Sequence, residues 1–139
     1  MRRDFDERGS AQYFRYELPG GWVVMAGRTE HDNDVLSTKI AQPDDWWFHV
    51  HGMPGSHVIL RARPGAEPDR ETLRMAAAIA AYHSKARTAG TVPVTMTRAR
   101  YVSKPRSAKP GLVYVEREST IKVRPGLPTT GGIPPVRDR

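Results

Sequence analysis

Cysteine is absent from the sequence, which excludes disulfides, thiolate nucleophiles and Cys-ligated zinc or iron–sulfur centres, and suits a reducing compartment. No apolar run approaches the roughly 18 residues that a membrane-spanning helix needs. The opening MRRDFDERGS carries charges with no hydrophobic stretch behind them, so it does not read as an export signal. The expectation is a cytoplasmic protein without a membrane partner. Catalytic signatures are missing as well. There is no Gly-x-Ser-x-Gly elbow and no phosphate-binding loop, and Asp44 and Asp45 are adjacent rather than set across a cleft. No catalytic residue or cofactor is indicated, and a binding protein is expected rather than an enzyme.

Acidic residues are scarce in one half of the chain. Met1 to His83 holds 10 Lys and Arg against 12 Asp and Glu, whereas Ser84 to Pro125 holds 10 against 2, so the second segment carries +8, more than the whole chain's net +7. Asymmetry of this kind points to a polyanionic partner and says little about fold. The 139 residues suit one domain, and a hydrophobic fraction of 38% including three Trp, three Phe and five Tyr is enough to build a core.

Local patterns give the organisation. Residues 1–10 read as a flexible leader, 11–125 as the folded domain, and the Gly- and Pro-dense 126–139 as a flexible tail. Ala11 to Leu18 and Trp22 to Ala26 flank Pro19-Gly20-Gly21 as a β-hairpin. A short helix is expected over Asp34 to Ala41, capped by Asp32 or Asn33 and stopped by Pro43. Asp45 to His51 and Val58 to Ala62 form a second hairpin across Gly52-Met53-Pro54-Gly55-Ser56. Asp69 with Thr72 opens a long helix with an apolar stripe at Leu73, Ala76, Ala77, Ile79, Ala80 and Tyr82, ending near Thr88-Ala89-Gly90. Val92 to Thr97, Leu112 to Glu116 and Thr120 to Val123 read as strands, the last two joined by a tight turn over Arg117-Glu118-Ser119. The fold class is α+β: a single compact domain, mostly antiparallel sheet, with one long and one short helix.

The stretch Tyr101-Val102-Ser103-Lys104-Pro105-Arg106-Ser107-Ala108-Lys109-Pro110-Gly111 spaces three cations between prolines. Prolines have already lost φ freedom, so such a loop presents Lys104, Arg106 and Lys109 to successive phosphates at a small ordering cost. Lys85 and Arg87 suit the negative end of the long helix and extend the same positive surface, and Arg98 and Arg100 are plausible additions. A solvated basic loop is the plainer alternative, and the charge imbalance favours binding.

In the second hairpin Trp47, His49 and His51 alternate onto one strand face and Trp46, Phe48 and Val50 onto the other. Trp47, His49 and His57 are candidates for stacking on bases, and Ser56 with its glycine turn for a small anion nest. A metal-dependent enzyme built on His49, His51 and His57 is an alternative reading, although no further ligand follows a recognised pattern and no metal is assigned. A third reading is an adaptor with a protein partner on the ribosome or a modification enzyme.

Several segments together resemble the NFACT-R domain, the RNA-binding module of proteins that include ribosome-quality-control factors. They are Gly27-Arg28 with Asn33-Asp34, Asp45-Trp46-Trp47-Phe48-His49-Val50 with Gly52, and Pro54-Gly55-Ser56-His57-Val58. Tyr82 with Ser84-Lys85-Ala86-Arg87, Val92-Pro93-Val94, Val102 with Lys104-Pro105, and Lys109-Pro110-Gly111 complete the set. The resemblance implies a compact α+β domain that contacts structured RNA, tRNA or rRNA, without catalysis. Arg28-Thr29-Glu30-His31-Asp32 and Ser107 depart from the family's usual residues.

Overall fold

A computed structural model describes residues 11–128 and 136–138 of the chain. The expected leader, 1–10, lies outside them. The first hairpin forms from β1 (Tyr13–Leu18) and β2 (Trp22–Gly27), paired in register from Tyr13 with Gly27 to Leu18 with Trp22. Gly20 and Gly21 turn it with φ of 89° and 86°, a region that side-chain-bearing residues avoid.

The second hairpin pairs β3 (Trp46–Val50) with β4 (Val58–Leu60). With the first hairpin, β5 (Val92–Arg98), β8 (Ser119–Val123) and β9 (Val136–Asp138) they build one seven-stranded sheet in the order β8-β5-β3-β4-β2-β1-β9, and all of its pairings are antiparallel. Strand β9 falls within the expected tail and pairs with β1. The pairing expected to follow the Arg117 turn is absent. β7 (Tyr114–Val115) joins β6 (Val102–Ser103) in a separate ribbon, and β8 crosses to β5. Arg117 permits the change of direction with φ of 55°, and the Thr97 hydroxyl donates to the Glu116 carbonyl at 2.8 Å.

Both faces of the sheet are covered. On one, Phe48, Val50, Val58, Leu60, Val24 and Val94 pack against the alanine-rich side of α2 (Arg70–Tyr82). Asp69 caps this helix by accepting from Thr72 N at 2.8 Å, and that bond holds the Asp69 carboxyl below its usual range. The helix ends at Tyr82, ahead of Thr88. Ser84 Oγ donates to the Ala81 carbonyl at 2.6 Å and the His83 carbonyl accepts from Ser56 N, so the backbone is drawn into tertiary pairing.

On the other face Trp47, Met25, Ile59 and Leu36 form a smaller cluster with Val102. Its cover is α1 (Glu30–Val35), which continues as a π-helical turn over Leu36–Ile40. The expected short helix therefore exists but starts earlier. Thr29 is its cap, accepting from Asp32 N at 3.1 Å, while Asp32 and Asn33 are buried inside it.

Candidate nucleic-acid interface

Three segments far apart in sequence are stitched together at one end of the sheet. Lys85 N donates to the Pro54 carbonyl at 3.4 Å, the Ser56 hydroxyl to the Gly27 carbonyl at 2.6 Å, and His57 N to Asn33 Oδ1 at 3.0 Å. Glycine is required twice for these approaches. A Cβ on Gly27 would sit 2.1 Å from Asn33 Oδ1, and one on Gly55 2.7 Å from the Ser84 Cβ. Arg28, Lys85 and Arg87 stand exposed around this junction. The Arg28 guanidinium lies 5.4 Å from the Phe14 ring centre and donates to Gln12 Oε1 at 3.2 Å. That of Arg87 lies 4.0 Å from the Tyr82 ring centre and donates to the Tyr82 carbonyl at 2.8 Å.

The Lys104–Gly111 loop is pinned to the same end through Asp34. Both carboxylate oxygens accept from Gly111 N, at 3.0 and 3.1 Å, and Lys104 Nζ lies 3.3 Å from Oδ2. Lys104 also donates to the Leu112 carbonyl at 2.9 Å and to the Lys109 carbonyl. Its ammonium is thus engaged inside the loop, with its side chain only 22% exposed, and the expected phosphate contact becomes a clamp. Arg106 and Lys109 are exposed. Charge is carried by the loop's tip, and shape is set by its base.

The expected basic surface is split by the fold. Arg98 pairs across from Trp46, at the opposite end of β3 from Val50, beyond which the Pro54–Lys85 junction lies. At that far end Arg98 stacks 3.9 Å from the Trp46 ring centre and reaches the Asp44 carbonyl and Glu67, while Arg100 pairs with Asp44. Neighbouring Asp45, fully buried, accepts from Gln42 N, Ala62 N and Arg61. Arg98 therefore lies apart from Lys85 and Arg87, whereas Arg100, paired with Asp44, lines a cleft with Ser103 and Lys104 at the start of the basic loop.

The expected stacking and turn contacts are mostly interior. Trp47 and His57 are each 2% exposed, which removes them as stacking platforms. Trp47 Nε1 donates to Ser37 Oγ at 2.9 Å, and Ser37 Oγ lies 2.7 Å from His57 Nδ1. A hydroxyl has one proton and two acceptor sites, so while accepting from Trp47 it pairs with Nδ1 of either neutral tautomer of His57. Burial, then the neighbouring His49, lowers the His57 pKa to about 4. His49 is half-buried and its pKa is also lowered, by burial and then by His51. Ser56 donates its N–H to His83 and its hydroxyl to Gly27, so its turn offers neither to an anion. His51 Nδ1 lies 3.3 Å from Thr95 Oγ1. Among the described residues no three His, Asp or Glu side chains are grouped to hold a metal ion, and no helix is long and apolar enough to cross a membrane.

The model of the NFACT protein RNA-binding domain matches residues 12–117. The chain belongs to this family. The RqcH protein of Bacillus subtilis, an Rqc2 homolog, is 42% identical over 114 residues, covering 82% of this chain and 20% of that protein. The Streptococcus suis RqcH is 37% identical over 106 residues, 76% of this chain and 19% of its own length. This NFACT-type domain thus spans about a fifth of those relatives. Among solved structures, the C-terminal part of the fibronectin/fibrinogen-binding protein from Streptococcus suis superposes with a TM-score of 0.76 at 34% identity, covering 90% of this chain and 50% of that one.

Two features of the interface are not visible in charge counts. Arg28 lies in the half whose net charge is negative, and the anchoring carboxylate of Asp34 reads as one more helix acid. The Asn33-Asp34 pair within the family resemblance was the available signal for the second.

Proposed function

We propose that the domain binds structured RNA, of the tRNA or rRNA class, through its phosphate backbone at the end of the sheet carrying Arg28, Lys85, Arg87, Arg106 and Lys109. Supporting this is the convergence of exposed cations from three separate segments on one end, two of them on a loop whose shape is fixed by Asp34 rather than by the RNA. A loop ordered beforehand leaves less entropy to lose on binding. Cations on an ordered frame, with no acid–base pair among them, suit positioning contacts to phosphates.

The Rqc2-type names of its relatives support a place in translation quality control, where this domain supplies RNA contact to a larger activity. The test is fluorescence anisotropy with a labelled tRNA and an unrelated structured RNA. Replacing Lys85, Arg106 and Lys109 by Gln is expected to weaken binding to both by a similar factor of at least ten, since phosphate contacts carry no sequence information. Unchanged affinity with a folded variant refutes the proposal.

A further inference from the structure

Between Arg28, Lys85 and Arg87 the surface dips into a cleft of about 460 Å³ whose lining includes Phe14 and His83. That volume lies within the range of small-ligand sites and exceeds what a phosphate contact requires. Its floor is aromatic. The Phe14 and His83 rings stack at 4.8 Å with their planes 9° apart, and His83 Nε2 lies 2.5 Å from the Tyr16 hydroxyl, which fixes the ring. Burial, then the nearby Arg87, lowers the His83 pKa to about 4, so the floor is neutral at physiological pH and the positive charge is confined to the rim. One acid, Glu30, also lines the cleft.

Two rim guanidiniums have aromatic backing, Arg87 on Tyr82 and Arg28 beside Phe14, and each is tied by a hydrogen bond to Tyr82 O or Gln12 Oε1. A guanidinium held flat in this manner presents a planar surface on which a nucleobase stacks. Lys85 adds a point charge with no partner among the described residues. The ensemble joins a planar cation, a point charge and a neutral apolar floor, which together match one nucleotide: a phosphate for the rim and a base for the interior. A paired base inside a helix cannot enter such a cleft.

We infer that this cleft receives a single unpaired nucleotide of the bound RNA, its base against the Arg28 and Arg87 guanidiniums above the Phe14–His83 floor and its phosphate on Lys85. This rests on the proposed RNA-binding reading and adds to it a preference for RNA with an extruded base.

Three RNA hairpins of one stem sequence test it by anisotropy at fixed salt: one with a single bulged uridine, one with that bulge abasic, and one with an adenosine opposite the uridine so that it is paired. The paired hairpin carries one more phosphate, so backbone attraction alone slightly favours it. The uridine bulge is expected to bind about ten-fold tighter than both others, and the backbone amide resonances of Arg28, Gly55 and Lys85 are expected to shift with it. In Arg28→Gln, affinity for all three hairpins is expected to fall with the lost charge, and the ten-fold preference for the uridine bulge is expected to disappear. Equal affinities for all three RNAs overturn this inference and leave the proposed function standing. An abasic bulge binding as well as the uridine bulge overturns base insertion specifically, and no binding to any hairpin refutes both readings.

Discussion

Asp34 gives a prediction in which two explanations differ in sign. Its carboxylate is 18% exposed, accepts the Gly111 amide with both oxygens and pairs with Lys104, itself 22% exposed. Replacing it with Ala removes a negative charge from a protein that already carries +7. A purely electrostatic surface then attracts RNA more strongly. The structure dictates the opposite. Without Asp34 the base of the loop is released and Lys104 loses its counter-charge, so Arg106 and Lys109 must be ordered on binding. Ordering each long side chain costs about 0.5–1.5 kcal/mol, and two of them give about 1–3 kcal/mol, roughly a 5- to 150-fold loss of affinity. Hydrogen bonds to a charged acceptor contribute about 1.5–3 kcal/mol to stability, so thermal unfolding should shift down as well. Asp34→Asn, which keeps an acceptor for the Gly111 amide, should recover part of both. The assay is anisotropy with a labelled tRNA beside a melting curve. Tighter or unchanged RNA binding by Asp34→Ala would refute the role of the loop anchor.

Other expectations follow from the same contacts. Substituting Arg98 by Gln should leave RNA affinity within about two-fold, because it sits at the far end on the Asp44 carbonyl and Glu67, whereas the same change at Arg106 and Lys109 should cost about ten-fold or more in a parallel titration. Gly27→Ala should destabilise the fold by several kcal/mol, as the added Cβ falls 2.1 Å from Asn33 Oδ1; a variant that melts like the parent contradicts the stitched junction. His57 is neutral when folded, with a pKa of about 4 against 6.5 for the free side chain. On acidification the unfolded chain takes up the proton first, so stability is level above pH 6.5 and falls between pH 6.5 and 4. At about 1.4 kcal/mol per pH unit the loss is about 3 kcal/mol. Urea unfolding across that range checks it, and His57→Gln should remove its share of the fall, leaving that of His83 and His49, whose pKa values are lowered as well.

The strands were readable because alternation and turn chemistry are local. Trp46 to Val50 placed alternate side chains on two faces, and the Pro19-Gly20-Gly21 turn set the first hairpin. That both faces of β3 are buried was not readable. It takes Leu36 and Val102, arriving from elsewhere in the chain, to cover Trp47. The start of α1 was misplaced for a related reason: Asp32 and Asn33 are good caps, but they serve Gln12 and His57 from inside the helix while Thr29 caps it. In the long helix the 3.6-residue pattern predicted the body but not the end, where Ser84 and the 54–56 turn take the backbone groups. The charge run from Ser84 to Pro125 marked a basic half, yet antiparallel pairing of β3 with β5 sends Arg98 to one end and leaves Lys85 at the other. Composition counts charge along the chain, whereas register decides which end of the sheet receives it.

The most direct test of the central claim is the salt dependence of affinity for a tRNA, titrated by anisotropy from about 0.05 to 0.3 M monovalent salt. Five cations, each neutralising a phosphate, predict a log–log slope of about −3.5 to −4.5 for the parent, and about two less steep when Arg106 and Lys109 are replaced. A slope near zero, or one that those replacements leave unchanged, contradicts recognition through phosphates at this end of the sheet.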